Sequence, residues 1–428
     1  MFGGGKMGLV KQNRNFLCID LKSFFASCEC VERGLDPFTT PLAVSSGQDG
    51  AIVLAISPYL KSLGISNRCR MYEIPKDIPG LIIAKPKMRL YTQVSAQIVG
   101  IYLDYVSEED ILVYSVDEVF LDVTEYLEYH QMNDYQLALA IQDKVLQETK
   151  IPSACGIGPN MLISKIALDI EAKKNPDMIA KWGYDDIPEK FWKIRPLSKF
   201  WGIGPRMEKR LNAMGLYTIG DVANVPTSRL KKEFGVMGME LHYHTNGIDM
   251  TRITTEPYVP KSKSIGHGQT LYRDYYGEEI KPIMMEMIDD VTKRMRSGNY
   301  EGDVVHLSIT YSRKGSDKGF SRQRKLDHPT QTSYQIYETC CELFNKYYEG
   351  KPIRKVRIAV TNLKPKKNYY QLNLFEDSNA QIKKQNIAEA VDEIKFRYGK
   401  NSILRGISFT DKGNARHRNT LIGGHNSD

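Results

Sequence analysis

The chain lacks several features that would assign it to whole classes of protein. Its 428 residues contain no apolar run that approaches the ~18 residues needed to span a bilayer. The first residues include glycine and lysine but no hydrophobic stretch, so a secretory signal peptide is not expected. No Gly-rich dinucleotide fingerprint follows a strand-like segment, which argues against a Rossmann domain. A globular protein without a membrane span is the expectation.

Cysteine is scarce, with seven residues in the chain. An odd number in a long sequence argues against a disulfide framework and for a reducing compartment. The close pairs Cys28-x-Cys30 and Cys340-Cys341 have no histidine or cysteine partners at zinc-binding spacing. We therefore expect ordinary thiols and a cytoplasmic location.

Charge is abundant, and its distribution is uneven. The chain has 59 Lys and Arg against 51 Asp and Glu, a formal net charge of +8. Residues 255–370 hold 21 of these basic residues and 14 of the acidic ones, which gives +7 of the total. A local basic excess is the electrostatic footprint of phosphate binding, so this segment is a candidate nucleic-acid-binding domain.

The most informative segment is an acidic turn between two strand-like runs. The apolar run 111–114 leads to Asp117 and Glu118, after which apolar residues alternate over 119–123. Two adjacent carboxylates repel each other unless a divalent cation lies between them, which points to a Mg²⁺ site. For such a pair alone, a solvated turn that happens to be acidic is the alternative.

A second carboxylate in a matching position supports the metal site. Asp20 ends the buried-strand pattern 16–19 and precedes a helix-like segment. Asp20, Asp117 and Glu118 would then converge from neighbouring strands. Three carboxylates around two metal ions are the minimum for two-metal phosphoryl transfer, in which one ion lowers the pKa of an attacking hydroxyl and the other stabilises the leaving pyrophosphate.

These two segments together resemble the palm of a known enzyme family. Asp20 with Phe24-Phe25-Ala26-Ser27, and the run Ser115-Val116-Asp117-Glu118-Val119-Phe120-Leu121-Asp122, are similar to the palm signature of the Y-family (translesion) DNA polymerases, in the bacterial UmuC-like and DinB-like branch. The resemblance extends over residues 15–375. It implies an α+β, multi-domain right-hand polymerase that acts on primer–template DNA and deoxyribonucleoside triphosphates (dNTPs).

The resemblance also implies catalytic roles for individual residues. Asp20, Asp117 and Glu118 are the implied ligands of two Mg²⁺ ions, for which Mn²⁺ can substitute. The backbone carbonyl of Leu21 is a further implied ligand. Phe25 matches the steric gate, a ring beneath the sugar of the incoming nucleotide that a 2′-hydroxyl would strike, so deoxyribonucleotides are preferred.

Three residues are implied on the triphosphate, namely Phe24, Lys61 and Lys165. Core packing is the ordinary role of a residue such as Phe24, and a lysine on a helix is otherwise usually solvated. The fingers segment departs from the better-known pattern, because Pro58 and Lys61 stand where DinB-type relatives carry a tyrosine and an arginine. Proline has no phenol, and lysine binds phosphate without the fork of arginine. Tyr59 fills the tyrosine role only if the register differs by one.

The pattern over residues 191–250 predicts short helices separated by glycine. Gly202-Ile203-Gly204 precedes Pro205, which suits the first position of a helix, and the segment resembles a helix-hairpin-helix. Glycines let backbone N–H groups approach a phosphate, and a helix N-terminus favours negative charge. We expect Gly202, Ile203 and Gly204 to contact the DNA backbone; an ordinary turn between helices is the alternative.

The pattern over residues 255–365 predicts the order strand, helix, strand, strand, helix, strand. Such a βαββαβ unit is a split sheet with helices on one face, and its other face is open. Basic residues lie in or beside these strands, among them Lys263, Arg322 and Arg324, together with Arg273 and Arg357. We expect the sheet to bind DNA, as the little-finger domain does in the resemblance; a solvated basic face is the alternative.

A short motif follows the last predicted domain. Gln371-Leu372-Asn373-Leu374-Phe375 combines a polar residue, spaced leucines and a terminal aromatic, and it is similar to the bacterial sliding-clamp-binding motif. Apolar anchors of this kind insert into a groove of a partner. Packing of Gln371, Leu372, Leu374 and Phe375 onto the parent domain is the alternative. Residues 380–400 predict one more helix, and the chain from residue 413 onward is predicted to be disordered.

The mass of 48.8 kDa suits two to four domains. The predicted divisions are a flexible leader at 1–14, palm and fingers at 15–190 with the fingers at 36–88, a thumb at 191–250, a little finger at 255–365, and a tail at 366–428.

The leading hypothesis is template-directed, low-fidelity DNA synthesis past damaged bases, with the sliding clamp and accessory SOS subunits as further partners. A nucleotidyl cyclase or another palm enzyme also fits a two-acid palm, but it has no need of DNA-binding modules. A non-catalytic DNA- and clamp-binding accessory protein has no need of Asp20, Asp117 and Glu118.

Overall fold

The chain folds into two units, which a computed structural model describes over residue 11 and residues 13–47, 51–254, 260, 263–312, 318–366 and 378–428. One unit comprises residues 1–257 with 425–428, and the other comprises residues 258–424. The division lies next to the predicted boundary between thumb and little finger. The clamp-motif segment 371–375 and most of the predicted leader lie outside the described residues.

The described part of the first unit contains strands and short helices in alternation. The strands are β1 Phe16–Leu21, β2 Leu42–Val44, β3 Ala55–Ile56, β4 Ile82–Ala84, β5 Ile111–Val113, β6 Glu118–Asp122, β7 Ser153–Gly158 and β8 Ile179–Lys181. The α-helices are α1 Phe24–Glu32, α2 Pro58–Ser62, α3 Met88–Leu103, α4 Asp134–Thr149, α5 Met161–Ile170, α6 Pro205–Ala213, α7 Ile219–Ala223, α8 Thr227–Phe234 and α9 Val236–Thr245. Among the described residues, none of the helices combines the length and apolarity that a bilayer crossing requires.

The central sheet of this unit places β1 in the middle, in the order β5-β6-β1-β7-β8. Leu17 and Ile19 pack in a core with α1, α3 and α4, whereas Phe16 and Cys18 pack in a second core with α5. A strand with a packed layer on each face needs apolar residues at successive positions, which explains the uninterrupted run that precedes Asp20. The carboxylate therefore emerges where the buried strand ends.

The predicted turn of the thumb segment is present before α6. Gly202 has φ +92°, a left-handed conformation that glycine adopts without a Cβ penalty. Gly204 is the N-cap of α6, and Pro205 occupies its first position. The turn therefore leads directly into a helix N-terminus, as the spacing of these residues predicts.

The second unit has the predicted βαββαβ order. Its elements are β9 Ile265–Tyr275, α10 Ile280–Ser297, β10 Tyr300–Tyr311, β11 Phe320–Thr330, α11 Ser333–Tyr347 and β12 Ile353–Thr361, followed by β13 Lys364–Pro365. The sheet order is β11-β10-β12-β9, and β13 pairs with the start of β10. Helices α10 and α11 pack over one face, onto Val305, Leu307 and Ile309 of β10. The fold class predicted from the sequence is confirmed.

The C-terminal segment is ordered, so the prediction of disorder from residue 413 onward is wrong. Its elements are α12 Ser378–Tyr398, α13 Ala415–Arg418, β14 Leu421–Ile422 and β15 His425–Asn426. Arg405 donates two hydrogen bonds to Asp289 of α10, at 2.6 and 3.0 Å. The Asn414 N–H donates to the buried carboxylate of Glu286, also on α10, at 3.1 Å. The polar residues of this segment have partners on an acidic face of α10, which composition alone does not reveal.

Candidate active site

The end of β1 and the turn before β6 bring the predicted carboxylates together. Asp20 and Glu118 are directly opposed in the antiparallel pairing of β1 with β6. Directly opposed residues in such a ladder place their side chains on the same face of the sheet. The Leu21 N–H donates to the Asp117 carbonyl at 2.8 Å, which fixes the turn against β1. Asp20, Asp117 and Glu118 therefore belong to one site.

The acidic turn is tight and opens onto a cleft. The N–H groups of Tyr114 and Ser115 both donate to the Glu118 carbonyl at 3.0 Å. The Ser115 hydroxyl donates to the Asp117 carboxylate at 2.5 Å. Asp117 and Glu118 line the cleft together with Ser95 of α3 and other residues. The hairpin thus borders a small cleft beside α3.

Two lysines, one in α5 and one in the turn that follows it, pair with carboxylates of the site. Lys165 Nζ lies 2.9 Å from Glu118 and 3.1 Å from Asp169. Lys173 Nζ lies 2.9 Å from Asp169 and 3.3 Å from Asp20. Lys165 and Asp169 are four residues apart, the spacing of neighbours along a helix face, and Lys173 lies in the 3₁₀ turn Ala172–Lys174 that follows α5. A continuous row of alternating charges therefore runs from Asp20 to Glu118.

The surroundings of Asp20 raise the pKa of its carboxyl group. Burial raises its pKa above the ordinary value; the Lys173 ammonium opposes the shift, and the Asp117 carboxylate adds to it. A raised carboxyl pKa means that the ionised form is less favourable here than in water. A cation bound beside Asp20 would relieve this penalty.

A lysine cluster faces Asp20 from three different elements. Burial lowers the pKa of Lys61 in α2, Asp20 opposes this shift, and the ammonium groups of Lys173 and Lys22 lower the pKa further. Lys173 is paired with Asp20, and Lys61 and Lys22 are close enough to interact with it electrostatically. Such a group of cations suits a polyanionic ligand, since phosphate oxygens accept charge-assisted hydrogen bonds from lysine. Lys22 and Lys173 were not among the residues predicted on the triphosphate. The sequence carries only part of their signal: Lys22 lies two residues after Asp20 and Lys173 lies eight after Lys165, but neither spacing shows what these side chains meet.

The predicted triphosphate residues differ in their placement. Lys165 is only 7% exposed, and its ammonium is paired with carboxylates, which favours a hold on Glu118 over a phosphate contact. The Phe24 ring is buried in the core, so a triphosphate contact would have to use its backbone N–H at the start of α1. Lys61 lies in the lysine cluster around Asp20. The roles of all three on the triphosphate stay predictions.

The predicted steric gate is held by a second ring. Phe25 is half-buried and stacks on Tyr91 of α3, with the ring centroids 4.5 Å apart and the planes 17° from parallel. The Tyr91 hydroxyl donates to the buried carboxylate of Glu29 at 2.6 Å. Aromatic stacking and a bonded partner restrict the ring to one position. The gate function stays a prediction, and this geometry supports it.

The departure in the fingers segment has a local structural reason. Pro58 is the first residue of α2, a position where a missing N–H carries no penalty. The Ser57 hydroxyl caps this helix by accepting from the Leu60 N–H at 3.3 Å. Tyr59 follows and packs against the small core of the fingers segment. The part that Tyr59 plays toward the triphosphate stays open.

The donor set fits a hard divalent cation. Three carboxylates and a backbone carbonyl offer the oxygen ligands that Mg²⁺ prefers. Among the described residues, no three carboxylate, thiol or imidazole groups are close enough to form a ready-made metal cluster. Instead, Lys173 and Lys165 lie against Asp20 and Glu118. A cation held by these carboxylates would therefore share their oxygens with the two ammonium groups or displace them.

The register of the second unit determines which basic residues lie on the open face of its sheet. Arg322 and Arg324 oppose the buried Leu307 and Val305, so their side chains lie on the helix side. Arg322 packs 4.9 Å from the ring centroid of Tyr347 in α11, and Arg324 pairs with a glutamate of the same helix. The predicted DNA contacts of these two arginines would therefore have to be made at the edge of the sheet.

The open face presents a different set of cations. Lys355 opposes Thr310, and Arg357 opposes Ser308, at positions that alternate with the buried residues of β10. Their side chains therefore lie on the face away from α10 and α11. Lys263 lies outside the strands, and its ammonium donates to the Tyr300 hydroxyl at 2.6 Å. Lys355 was missed in the sequence, although strict alternation along β12 carries the signal.

The thumb turn exposes its glycines and buries its middle residue. Gly202 and Gly204 are exposed, whereas Ile203 is only 4% exposed and its N–H donates to the Phe200 carbonyl at 3.0 Å. This placement favours an anchoring role for Ile203 and leaves the two glycines accessible at the surface. Contact of the turn with DNA stays a prediction.

Comparison with known proteins extends the likeness over almost the whole chain. Family models match three segments: the impB/mucB/samB family at residues 19–169, the thumb domain of DNA polymerase-iota at 199–249, and the impB/mucB/samB C-terminal domain at 262–374. A Bacillus subtilis (strain 168) protein named as a candidate UV-damage repair protein, UvrX, is 43% identical over 97% of this chain and 98% of its own. DNA polymerase IV 2 of the same organism is 34% identical over 97% of this chain and 100% of its own.

A solved structure shares the fold. The Y-family DNA polymerase chimera Dbh-Dpo4(243-245)-Dbh superposes with a TM-score of 0.65, at 19% identity, over 81% of this chain and 98% of that one. The shared fold, the matched family segments and the relatives named DNA polymerase IV define the protein as a DNA polymerase. Together with the full-length relatives they show that the chain belongs to the Y-family of DNA polymerases.

Proposed function

We propose that this enzyme extends a primer past damaged template bases by two-metal nucleotidyl transfer from a dNTP to the primer 3′-hydroxyl. The observation that carries the proposal is the convergence of Asp20, Asp117 and Glu118 at the end of β1. The names of the two Bacillus subtilis relatives, a polymerase IV and a candidate UV-damage repair protein, support the lesion-bypass assignment. We also propose action at the bacterial nucleoid, where the DNA substrate lies, with accessory SOS subunits as further partners.

Each side chain of the site has a definite task in this mechanism. Asp20, Asp117, Glu118 and the Leu21 carbonyl would hold two Mg²⁺ ions, which when bound lower the pKa of the primer hydroxyl and offset charge on the pyrophosphate. Lysines of the cluster around Asp20 bind phosphate oxygens. The Phe25 ring lies beneath the sugar and excludes a 2′-hydroxyl. Lys165 keeps the Glu118 carboxylate in place.

Primer extension by the purified chain tests the proposal directly. A labelled primer annealed to an undamaged template, or to one with an abasic site, is incubated with four dNTPs, with and without Mg²⁺. We expect Mg²⁺-dependent extension on both templates, including insertion opposite the abasic site. Extension on the undamaged template alone would support the polymerase activity but contradict lesion bypass. No extension with either Mg²⁺ or Mn²⁺ would favour the non-catalytic accessory protein.

The open face of the sheet gives a prediction about DNA binding. Replacing Lys355 and Arg357 together by alanine is expected to reduce the salt slope of primer–template binding by about 2, because each lost phosphate contact removes about one counterion. Fluorescence anisotropy across a series of KCl concentrations measures the slope. The matched control is Arg322→Ala with Arg324→Ala, which removes the same charge from the helix side. A larger effect in the control would place the DNA at the edge of the sheet instead.

The predicted clamp motif at residues 371–375 can be tested by deletion. Deleting residues 371–375 is expected to leave distributive primer extension unchanged while abolishing stimulation by a bacterial sliding clamp, because the apolar anchors of the motif are lost. Extension on a circular primed template with loaded clamp measures the stimulation. A matched control replaces Leu372 and Phe375 by alanine and keeps the chain length. Equal stimulation of the deleted and intact proteins would refute the motif.

A further inference from the structure

Asp169 occupies the centre of the charge row at the active site, although neither the palm signature nor its spacing singles it out. Its carboxylate accepts from two ammonium groups, Lys165 at 3.1 Å and Lys173 at 2.9 Å. Each of these lysines also contacts a predicted metal ligand, Glu118 or Asp20. Asp169 is thus the shared partner of two ammonium groups, each of which also contacts a carboxylate that we propose as a metal ligand.

The two lysines differ in how firmly they are held. Lys165 Nζ lies 2.9 Å from both carboxylate oxygens of Glu118, and its side chain is 9% exposed. Lys173 lies farther from its catalytic partner, 3.3 Å from Asp20, and its side chain is 34% exposed. Removing a partner from a buried charge is costly, whereas the ammonium of a side chain that is one-third exposed can be rehydrated. Lys173 is therefore the cation that Asp20 can exchange.

A shared carboxylate makes such an exchange easier. If Asp20 held a divalent cation in place of Lys173, the ammonium would still have an anionic partner in Asp169, which lies 2.9 Å from it. Without that carboxylate, both lysines would be balanced by the catalytic carboxylates alone. They would then compete with the cation for the same oxygens.

We propose that Asp169 is a positioning residue that retains Lys165 and Lys173 while Asp20 exchanges its lysine for a divalent cation. The inference rests on the proposed function in one respect, that Asp20 and Glu118 bind the catalytic cations. It adds a specific consequence: Asp169 and Lys173 affect cation affinity in opposite directions. Removing Asp169 leaves the ammonium groups of Lys165 and Lys173 to compete with the cation for the carboxylates of Glu118 and Asp20. Removing Lys173 eliminates one of these competitors.

Cation binding is measured without DNA or nucleotide, by electron paramagnetic resonance or calorimetric titration with Mn²⁺. Asp169→Asn is expected to weaken Mn²⁺ binding by about tenfold, the scale of one unit charge acting on a divalent ion in a hydrated site. Lys173→Met is expected to tighten it. The matched control is Asp104→Asn, which removes another exposed lysine partner of the same unit, 2.8 Å from Lys144, and is expected to leave the affinity unchanged.

The two variants are expected to change the Mn²⁺ affinity in opposite directions, so a titration of either one can contradict the proposal. Weaker Mn²⁺ binding in Lys173→Met, or unchanged binding in a folded Asp169→Asn protein, overturns it. Asp169→Glu keeps the charge and is expected to restore most of the affinity, which a merely structural role does not predict. If Asp169→Asn does not fold, the Lys173→Met titration decides alone. A wild-type protein that binds Mn²⁺ but extends no primer would refute the proposed function and leave this test intact.

Discussion

Replacing Asp117 by alanine is expected to reduce Mg²⁺-dependent primer extension by about a thousandfold or more, since a lost metal ligand removes several kcal/mol of transition-state stabilisation. Asp117 is the carboxylate of the turn that no described lysine pairs with, and its own contact is the Ser115 hydroxyl. Its replacement therefore leaves no buried ammonium without a partner. We expect a folded protein with an inactive site, measured by single-turnover extension.

Binding of primer–template DNA separates a catalytic defect from a folding defect. The thumb turn and the open face of the second unit do not involve Asp117, so DNA affinity in the Asp117→Ala protein is expected to stay within a few-fold of wild type. Glu109→Ala is the matched control, because Glu109 is an exposed carboxylate just before the same hairpin. Extension at the wild-type rate by the Asp117→Ala protein would contradict the site assignment.

The carboxylates of the site could be predicted because their signal is local. Asp20 follows a buried strand, and Asp117 and Glu118 lie at the turn of a hairpin, so each position is defined by a few neighbouring residues. Topology supplies only the last step, the antiparallel pairing that sets Asp20 opposite Glu118. The same locality explains why the βαββαβ order and the Gly202 turn could be predicted.

The lysine partners could not be predicted, because their contacts are distant in the chain. Lys165 lies 47 positions from Glu118, and Lys173 reaches Asp20 at the opposite end of the palm sequence. Spacing along α5 shows that Lys165 and Asp169 share a face but not what that face meets, and Lys173 lies in the 3₁₀ turn after the helix ends. Lys165 was therefore assigned by resemblance to the triphosphate, whereas its buried pairing favours a hold on Glu118.

The faces of the basic strands illustrate a second limit. Successive residues of a strand point to opposite faces, so an error of one position exchanges the helix side for the open side. Arg322 and Arg324 were grouped with the DNA contacts on charge alone, and the register places them opposite buried residues of β10. Charge predicts that the domain binds a polyanion, but only the pairing identifies the face.

The partly buried carboxylate of Asp20 is expected to lower the stability of the folded protein. The raised pKa of Asp20 shows that its ionised form is held at a cost, which Lys173 offsets only in part. Sites of this kind exchange stability for function. Lys165 and Lys173 lie against Glu118 and Asp20 and offset part of this charge.

The ring of Phe25 gives the clearest test of substrate choice. It is held by the stacked ring of Tyr91, whose hydroxyl is fixed by Glu29, so it cannot turn aside for a bulkier sugar without breaking those contacts. A rigid clash with an added hydroxyl costs about 1–3 kcal/mol in a packed site. The gate therefore depends on the support behind the ring as well as on the ring.

Phe25→Ala is expected to raise the efficiency of ribonucleotide incorporation relative to the matching deoxyribonucleotide by up to about a hundredfold, the upper end of that clash converted to a rate. Steady-state kcat/KM values for ATP and dATP opposite template thymine measure the ratio. Phe25→Tyr keeps the ring and is the matched control, with discrimination expected near wild type. Tyr91→Leu removes the support alone, so a smaller loss of discrimination is expected. If Phe25→Ala excludes ATP as strongly as the wild type does, the gate lies elsewhere, because no ring would then remain beneath the sugar.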